Sequence, residues 1–187
     1  MYIEAIQNYT PKNALEAQDQ RVMLEYIENY PGNVLTRENE IAHLCASGFI
    51  LNEKMDKTLM IYHHLYDSWG WTGGHADGNP DLLAVAIKEA QEETGIQYVR
   101  PLSDQPQSLD ILPVWSHHKK GQFINSHLHL TVSYLLIADE SERLSIKADE
   151  NSAVGWLPIE KIAHHCNEPT MLPIYDKLIQ AARLLNN

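Results

Sequence analysis

The stretch WTGGHADGNPDLLAVAIKEAQEETGI, Trp71 to Ile96, restricts the local fold more than any other part of the chain. A glycine-rich turn leads into a segment with a legible start. Asn79 is suited to cap a helix, Pro80 to open its first turn because the missing N–H would be unpaired there, and Asp81 to meet the positive end of the dipole. Gly95 supplies a left-handed terminator. Between them Leu83, Ala86, Ile87 and Ala90 share one face, while Glu89, Glu92 and Glu93, at i, i+3 and i+4, converge on the adjoining one. Like charges at this spacing repel by about 0.2–0.5 kcal/mol per pair. Lys88 is the cation at hand to relieve them. A hard divalent ion, Mg²⁺ or Mn²⁺, turns the repulsion into ligation by oxygen, and a solvated acidic face is the alternative reading.

The remaining segments alternate between helical and strand periodicity. DQRVMLEYIENYPG sets Val22, Met23, Tyr26 and Ile27 at helical spacing and stops at Pro31-Gly32, which predicts an N-terminal helical extension at about residues 12–35. IAHLCASGFIL and TLMIYHHLY, separated by the polar NEKMDK, predict a hairpin. SLDILPVWS and HLHLTVSYLLIA predict two more strands, the second alternating His127, His129 and Thr131 against Leu128, Leu130 and Val132. TMLPIYDKLIQAARLL aligns Leu172, Tyr175, Leu178, Ile179, Ala182 and Leu185 in one stripe, so a helix closes the chain. The order predicts one mixed α/β domain over residues 1–187, with helices packed on a largely antiparallel or mixed sheet.

Charge narrows the partners. With 14 basic and 25 acidic side chains the formal net charge is -11, so duplex nucleic acid is repelled and an anionic ligand needs a local cation. Cys45 and Cys166 have no paired spacing, which argues against a disulfide framework or zinc ribbon and for a reducing, cytoplasmic setting. MYIEAIQNYT lacks the basic and apolar regions of a signal peptide, and no run approaches the roughly 18 apolar residues of a membrane span. A single core suits 187 residues.

The order of glycine, loop, capped helix and KEAQEETGI resembles the signature of the Nudix hydrolase family, G-x5-E-x7-R-E-U-x-E-E-x-G-U with U aliphatic. Gly74 takes the first glycine, Lys88 and Glu89 the Arg-Glu pair, Ala90 the aliphatic position, and Glu92, Glu93, Gly95 and Ile96 the ending. Two positions depart from it. Pro80 stands at the first glutamate, leaving Asp77 and Asp81 as the nearest carboxylates, and Lys88 replaces the forked arginine with a point charge. ENSAVGWLPIEKI resembles the family's late strand, in which a Trp enters a short helix. The resemblance implies an α/β/α sandwich with a mixed central sheet.

It also implies hydrolysis of a nucleoside diphosphate linked to another group, assisted by Mg²⁺ or Mn²⁺. The metal set expected from it is Gly74, Glu89, Glu92 and Glu93, and the catalytic set Glu89, Glu93, Lys88 and Glu150, with Glu89 the first choice of general base and Glu150 the second. Trp71, His75, His127 and His129 are expected at the substrate, a small-molecule nucleotide or derivative, although Trp71 also suits a core position. The histidines, with His63, His64, His117 and His118, also admit a zinc site. Two further readings are a ligand-binding regulator on the same fold and, remotely, an isopentenyl-diphosphate isomerase, whose cysteine is Gly73 here. The N-terminal helix is a possible homodimer contact.

Overall fold

The computed structural model describes residues 2–119 and 121–186, so Met1, Lys120 and Asn187 of the expected 1–187 domain lie outside the described residues. Helices α1 (Tyr2–Gln7) and α2 (Ala14–Asn29) precede strands β1 (Ala42–Asn52), β2 (Lys57–His63), β3 (Ser68–Gly70) and β4 (Thr72–His75). Helix α3 (Leu82–Thr94) follows, then strands β5 (Val99–Pro101), β6 (Ser108–Val114), β7 (His117–Lys119), β8 (Gln122–Ile124), β9 (His127–Ala138) and β10 (Asn151–Pro158). The chain closes through a 3-10 turn at Ile159–Lys161, α4 (Ile162–His165) and α5 (Leu172–Leu185).

The main sheet runs β10-β2-β1-β9-β5, with β3 beside β2, β4 beside β1 and β6 beside β9. It is mixed because β1 and β9 pair in parallel along their whole length, Ala42 opposite Leu128 through Asn52 opposite Ala138, while the other pairs are antiparallel. The expected hairpin is present, with Ile50 opposite Leu59. The free edge of β1 is shared between β2 and β4, which brings Cys45, Ala46 and Ser47 opposite His75, Gly74 and Gly73.

Alternation along β1 and β9 sorts the core into two layers. Leu44, Ala46, Ile50, Leu130, Val132 and Leu136 join Ala86 and Ala90 of α3 and Met23 and Ile27 of α2 on one side. Phe49, Leu51, Leu135 and Ile137 join Tyr175, Leu178 and Ala182 of α5 on the other. Leu185, expected in the α5 stripe, is exposed beyond the end of that layer. The helical extension is tied down by a buried polar knot. Glu16 accepts from Tyr9 Oη at 2.6 Å and from the Leu109 amide at 3.2 Å, and pairs with Lys177 of α5 at 2.8 Å. Burial pushes the Glu16 carboxyl up, but hydrogen bonds from the Lys12 amide, Lys177 and Tyr9 outweigh it and hold the group below its ordinary range. Among the described residues no helix is long and apolar enough to cross a membrane.

The start of α3 corrects one sequence expectation. The cap is Asp81, whose carboxylate accepts from the Ala84 amide at 3.0 Å, and not Asn79. Asn79 instead accepts from the Asp81 amide at 2.9 Å, making an Asx turn that uses Pro80 before the helix rather than inside it. Gly95 terminates the helix as expected, at φ +78°, with its amide on the Gln91 carbonyl.

Candidate active site

Helix α3 packs against β1 and β4 through Val85, Ala86 and Ala90, and this face carries Glu93 inward with it. Glu93 is 2% exposed, and its Oε2 accepts from the Gly73 amide at 2.9 Å. Glu89, one turn earlier, lies over Gly74 so closely that a Cβ there would stand 2.5 Å from the Glu89 Cδ. Only glycine lets β4 and the Glu89 side chain pass at this distance. The third acid arrives from far along the chain. The turn Lys147–Asn151 closes through bonds from the Glu150 and Asn151 amides to the Lys147 carbonyl, and Asn151 Nδ2 donates to the Glu93 carbonyl at 3.0 Å. Glu150 is thereby set so that Glu89, Glu93 and Glu150 each offer an oxygen within 4.8 Å of the others.

Glu92 is placed differently from its neighbours. Its carboxylate sits outside that group, 3.2 Å from Lys88 and 3.6 Å from Lys147. Lys88 is mostly exposed and only 3.9 Å from Glu89 at best. Lys147, which sequence reasoning did not single out, reaches Glu150 at 2.9 Å as well and is the cation closest to the acids. Its one local signal is the i, i+3 spacing to Glu150. Neither carboxylate near Pro80 replaces the motif's missing glutamate: Asp81 caps α3, and Asp77 is held in a fork by Arg37, with Nε to Oδ1 at 2.8 Å.

The acids differ electrostatically. Burial dominates at Glu93, and with Glu89 and Glu150 beside it the carboxyl is pushed up to about 8 against the Gly73 hydrogen bond. Burial also raises Glu89, partly offset by Lys147 and Lys88. A site that keeps carboxyls so close and so dry is short of positive charge.

Sequence expectation had also placed Trp71, His75, His127 and His129 at the substrate. They lie on the β4 and β9 face that carries α5, opposite the one where Gly74 meets Glu89. Trp71 packs edge-on against Tyr175, with ring centroids 5.6 Å apart. The histidines form a cluster with His43 and Cys45 of β1, neither of which sequence reasoning had singled out, although their i, i+2 spacing marks a shared strand face. His43 stands 4.9 Å from His75, 5.0 Å from His127 and 5.3 Å from His129 between ring centroids. Burial and the surrounding imidazoles push His129 down to about 2, and burial raises the Cys45 thiol well above its ordinary range. His63, His64, His117 and His118 lie elsewhere, against Tyr66, the Ala148 carbonyl, the Trp115 carbonyl and Phe123 respectively.

Comparison with known proteins bears on the family and the fold. The chain is 24% identical over 139 residues to CMP-5'-(N-acetyl-N-hydroxy-3-aminopropyl)phosphonate hydrolase of Streptomyces rubellomurinus, an alignment covering 71% of this chain. It spans about 60% of that relative's length. Similar folds include the C. elegans Ap4A hydrolase binary complex, with a TM-score of 0.51 and 17% identity over 77% of this chain and 98% of that one. Another is the E. coli dihydroneopterin triphosphate pyrophosphohydrolase, with a TM-score of 0.54 and 14% identity over 74% and 95%. A NUDIX-family hydrolase from Clostridium perfringens aligns with a TM-score of 0.50 and 21% identity over 74% and 97%. The NUDIX domain model matches residues 42–180, from the start of β1 into α5, and a match of that extent, which includes the β4 glycines and the glutamates of α3, makes the chain a member of the Nudix hydrolase family.

Proposed function

We propose that this hydrolase cleaves the diphosphate linkage of a nucleoside diphosphate joined to another group, and that it needs a divalent cation to do so. The observation that carries the reading is the convergence of Glu89, Glu93 and Glu150 within 4.8 Å of one another beside the β4 glycines. The donor set fits Mg²⁺ or Mn²⁺: it is all oxygen, it is partly buried, and Glu93 is held protonated to about pH 8 by burial first and by the Glu89 and Glu150 carboxylates second, a cost that a cation relieves. Glu89, Glu93 and Glu150 would hold the ion, with Gly74 completing the set and Glu92 acting from the rim through Lys88 and Lys147. When bound, the ion neutralises the diphosphate and makes water a better nucleophile.

The side chains divide the remaining work. A water oxygen bonds to phosphorus as the anhydride P–O bond breaks, the leaving phosphate takes the electron pair, and Glu89 takes the water's proton. Glu89 suits that part because burial already raises its carboxyl. Lys147 supplies the local cation that an anionic substrate needs in a protein of net charge -11. Lys88 restrains Glu92. Trp71 and His127, half-buried on the opposite face of the sheet, are the proposed contacts for the second group of the substrate.

The test is a substrate panel with Mg²⁺ and with chelator, resolving the released nucleotide, phosphate and diphosphate. A dinucleoside polyphosphate, a nucleoside triphosphate, a nucleotide sugar and a CMP-phosphonate belong in it. Metal-dependent release of a nucleoside monophosphate from one member is the expected result; undiminished turnover after exhaustive chelation overturns the reading.

A further inference from the structure

On the α5 side of the sheet, three strands bring nitrogen and sulfur donors to one point. His43 and Cys45 come from β1, His75 from β4 opposite Cys45, and His129 from β9 opposite His43. One ligand atom of each lies within 4.8 Å of the others. We propose that His43, Cys45, His75 and His129 form a second metal site, separate from the glutamates, that takes one borderline transition-metal ion of the Zn²⁺ class.

Four observations carry the assignment. The donor set is three imidazoles and one thiol, which suits zinc or cobalt and not magnesium. His43 is 4% exposed, and its Nδ1 lies 3.0 Å from the Asn39 carbonyl. A carbonyl only accepts, so Nδ1 carries the proton and Nε2 is left as the lone-pair nitrogen. That Nε2 is buried and has no hydrogen-bond partner among the described residues, which costs about 1–3 kcal/mol unless something meets it. A backbone carbonyl fixing one imidazole nitrogen while the other faces a ligand position is the usual support for a histidine ligand.

Spacing is the fourth observation, since the four donor atoms all lie within 4.8 Å of one another. His127 is oriented in the same way, its Nδ1 2.9 Å from the Asn125 carbonyl, and its Nε2 lies 3.2 Å from His129 Nε2. Tetrahedral zinc with Zn–N bonds of about 2.05 Å places ligand nitrogens about 3.3 Å apart and a ligand sulfur about 3.6 Å from them. Contraction of the four donors by about 1 Å or less closes the set, with His127 at its rim. The strands that carry the donors are fixed by the parallel β1–β9 ladder and the antiparallel β1–β4 pairing, so little backbone movement is needed. A filled site would also brace His75, the residue after Gly74, and so hold the β4 strand against which Glu89 and Glu93 rest.

The experiment uses the full chain, stripped by dialysis against a chelator and titrated with Co²⁺ and then Zn²⁺ in excess Mg²⁺, which occupies hard oxygen sites. One equivalent of Co²⁺ is expected, with the visible ligand-field absorption of a tetrahedral ion and a thiolate-to-cobalt charge-transfer band, both bleached by Zn²⁺. The charge-transfer band should vanish in Cys45→Ser. Zn²⁺ affinity should fall at least about 100-fold in a His43→Gln/His129→Gln double variant, and should be retained in a Glu89→Gln/Glu93→Gln double variant. An octahedral spectrum without the thiolate band overturns the assignment, as does binding that follows the glutamates rather than the histidines. If a histidine variant fails to fold by circular dichroism, the parent's Co²⁺ spectrum alone decides. Loss of hydrolysis with this spectrum intact would count against the proposed reaction and not against this site.

Discussion

Replacing Glu93 by glutamine tests the burial, the titration and the proposed chemistry of the site together. The amide keeps the shape of the side chain and an oxygen for the Gly73 N–H, but it never ionises. In the parent, the native state holds the Glu93 proton up to about pH 8, whereas the unfolded chain releases it near the ordinary value of 4.5. The native state therefore binds more protons across that window. The stabilising contribution is complete below pH 4.5 and is lost as pH rises toward 8. At about 1.4 kcal/mol per pH unit the ceiling is about 5 kcal/mol, and an effective dielectric well above that of a dry interior brings the expectation to about 2–3 kcal/mol. For a chain of this size each kcal/mol moves the melting temperature by about 2–4 °C. In chelator, Glu93→Gln should match the parent at pH 5 and melt about 4–12 °C above it at pH 9. With Mg²⁺ the order should invert, because the parent gains a ligand that the variant lacks. Turnover should fall about 100- to 1000-fold, by analogy with removing one preorganised charge-stabilising group. Thermal melts at both pH values, with and without Mg²⁺, and a turnover assay give all four readings. Equal pH dependence in variant and parent would refute the burial argument, and full activity would remove Glu93 from the catalytic group.

Mg²⁺ must displace the Glu93 proton, so calorimetric affinity should tighten as pH rises toward 8 and level off above it; a flat profile from pH 6 to 9 would contradict this. Gly74→Ala places a Cβ 2.5 Å from the Glu89 Cδ, and we expect turnover to fall at least about tenfold while the fold persists, since the nearest atoms it meets all belong to the Glu89 side chain and none to the backbone. A fully active Gly74→Ala would show that Glu89 need not hold its position. Gly95→Ala meets a left-handed φ of +78° and a Ser145 amide at 2.8 Å, so urea denaturation should show a loss of more than about 1 kcal/mol; an unchanged midpoint would mean that the α3 terminus relaxes freely. Lys88→Arg keeps the pairing with Glu92 on an exposed surface and should leave kcat within about threefold, whereas a hundredfold fall in a folded variant would give Lys88 a direct role.

Much of this protein is written locally. The body of α3 and its Gly95 terminator, the β1–β2 hairpin, β9 and α5 follow from periods of 3.6 and 2 and from turn chemistry, all of which act between residues a few positions apart. The helix also places Glu89 and Glu93 one turn apart on one side, which is why these two of the three clustered acids are legible as a pair, whereas Glu150 enters the sequence reading only as a second choice of general base and not as a metal ligand. The helix start was less so, because Asn79 and Asp81 both suit a cap and only the packed loop shows Asn79 spent on an Asx turn. Periodicity could not separate Glu92 from Glu93. What separates them is the docking of α3 on β4, which buries one carboxylate under the Gly73 amide and leaves the other to Lys88 and Lys147. Glu150 enters through the pairing of β10 with β2, and His43 and Cys45 meet His75 and His129 through the registers of β1 with β4 and β9. Those registers join residues tens of positions apart, and they are set by which hydrophobic faces can be buried together, a property of the assembled sheet that no single segment carries.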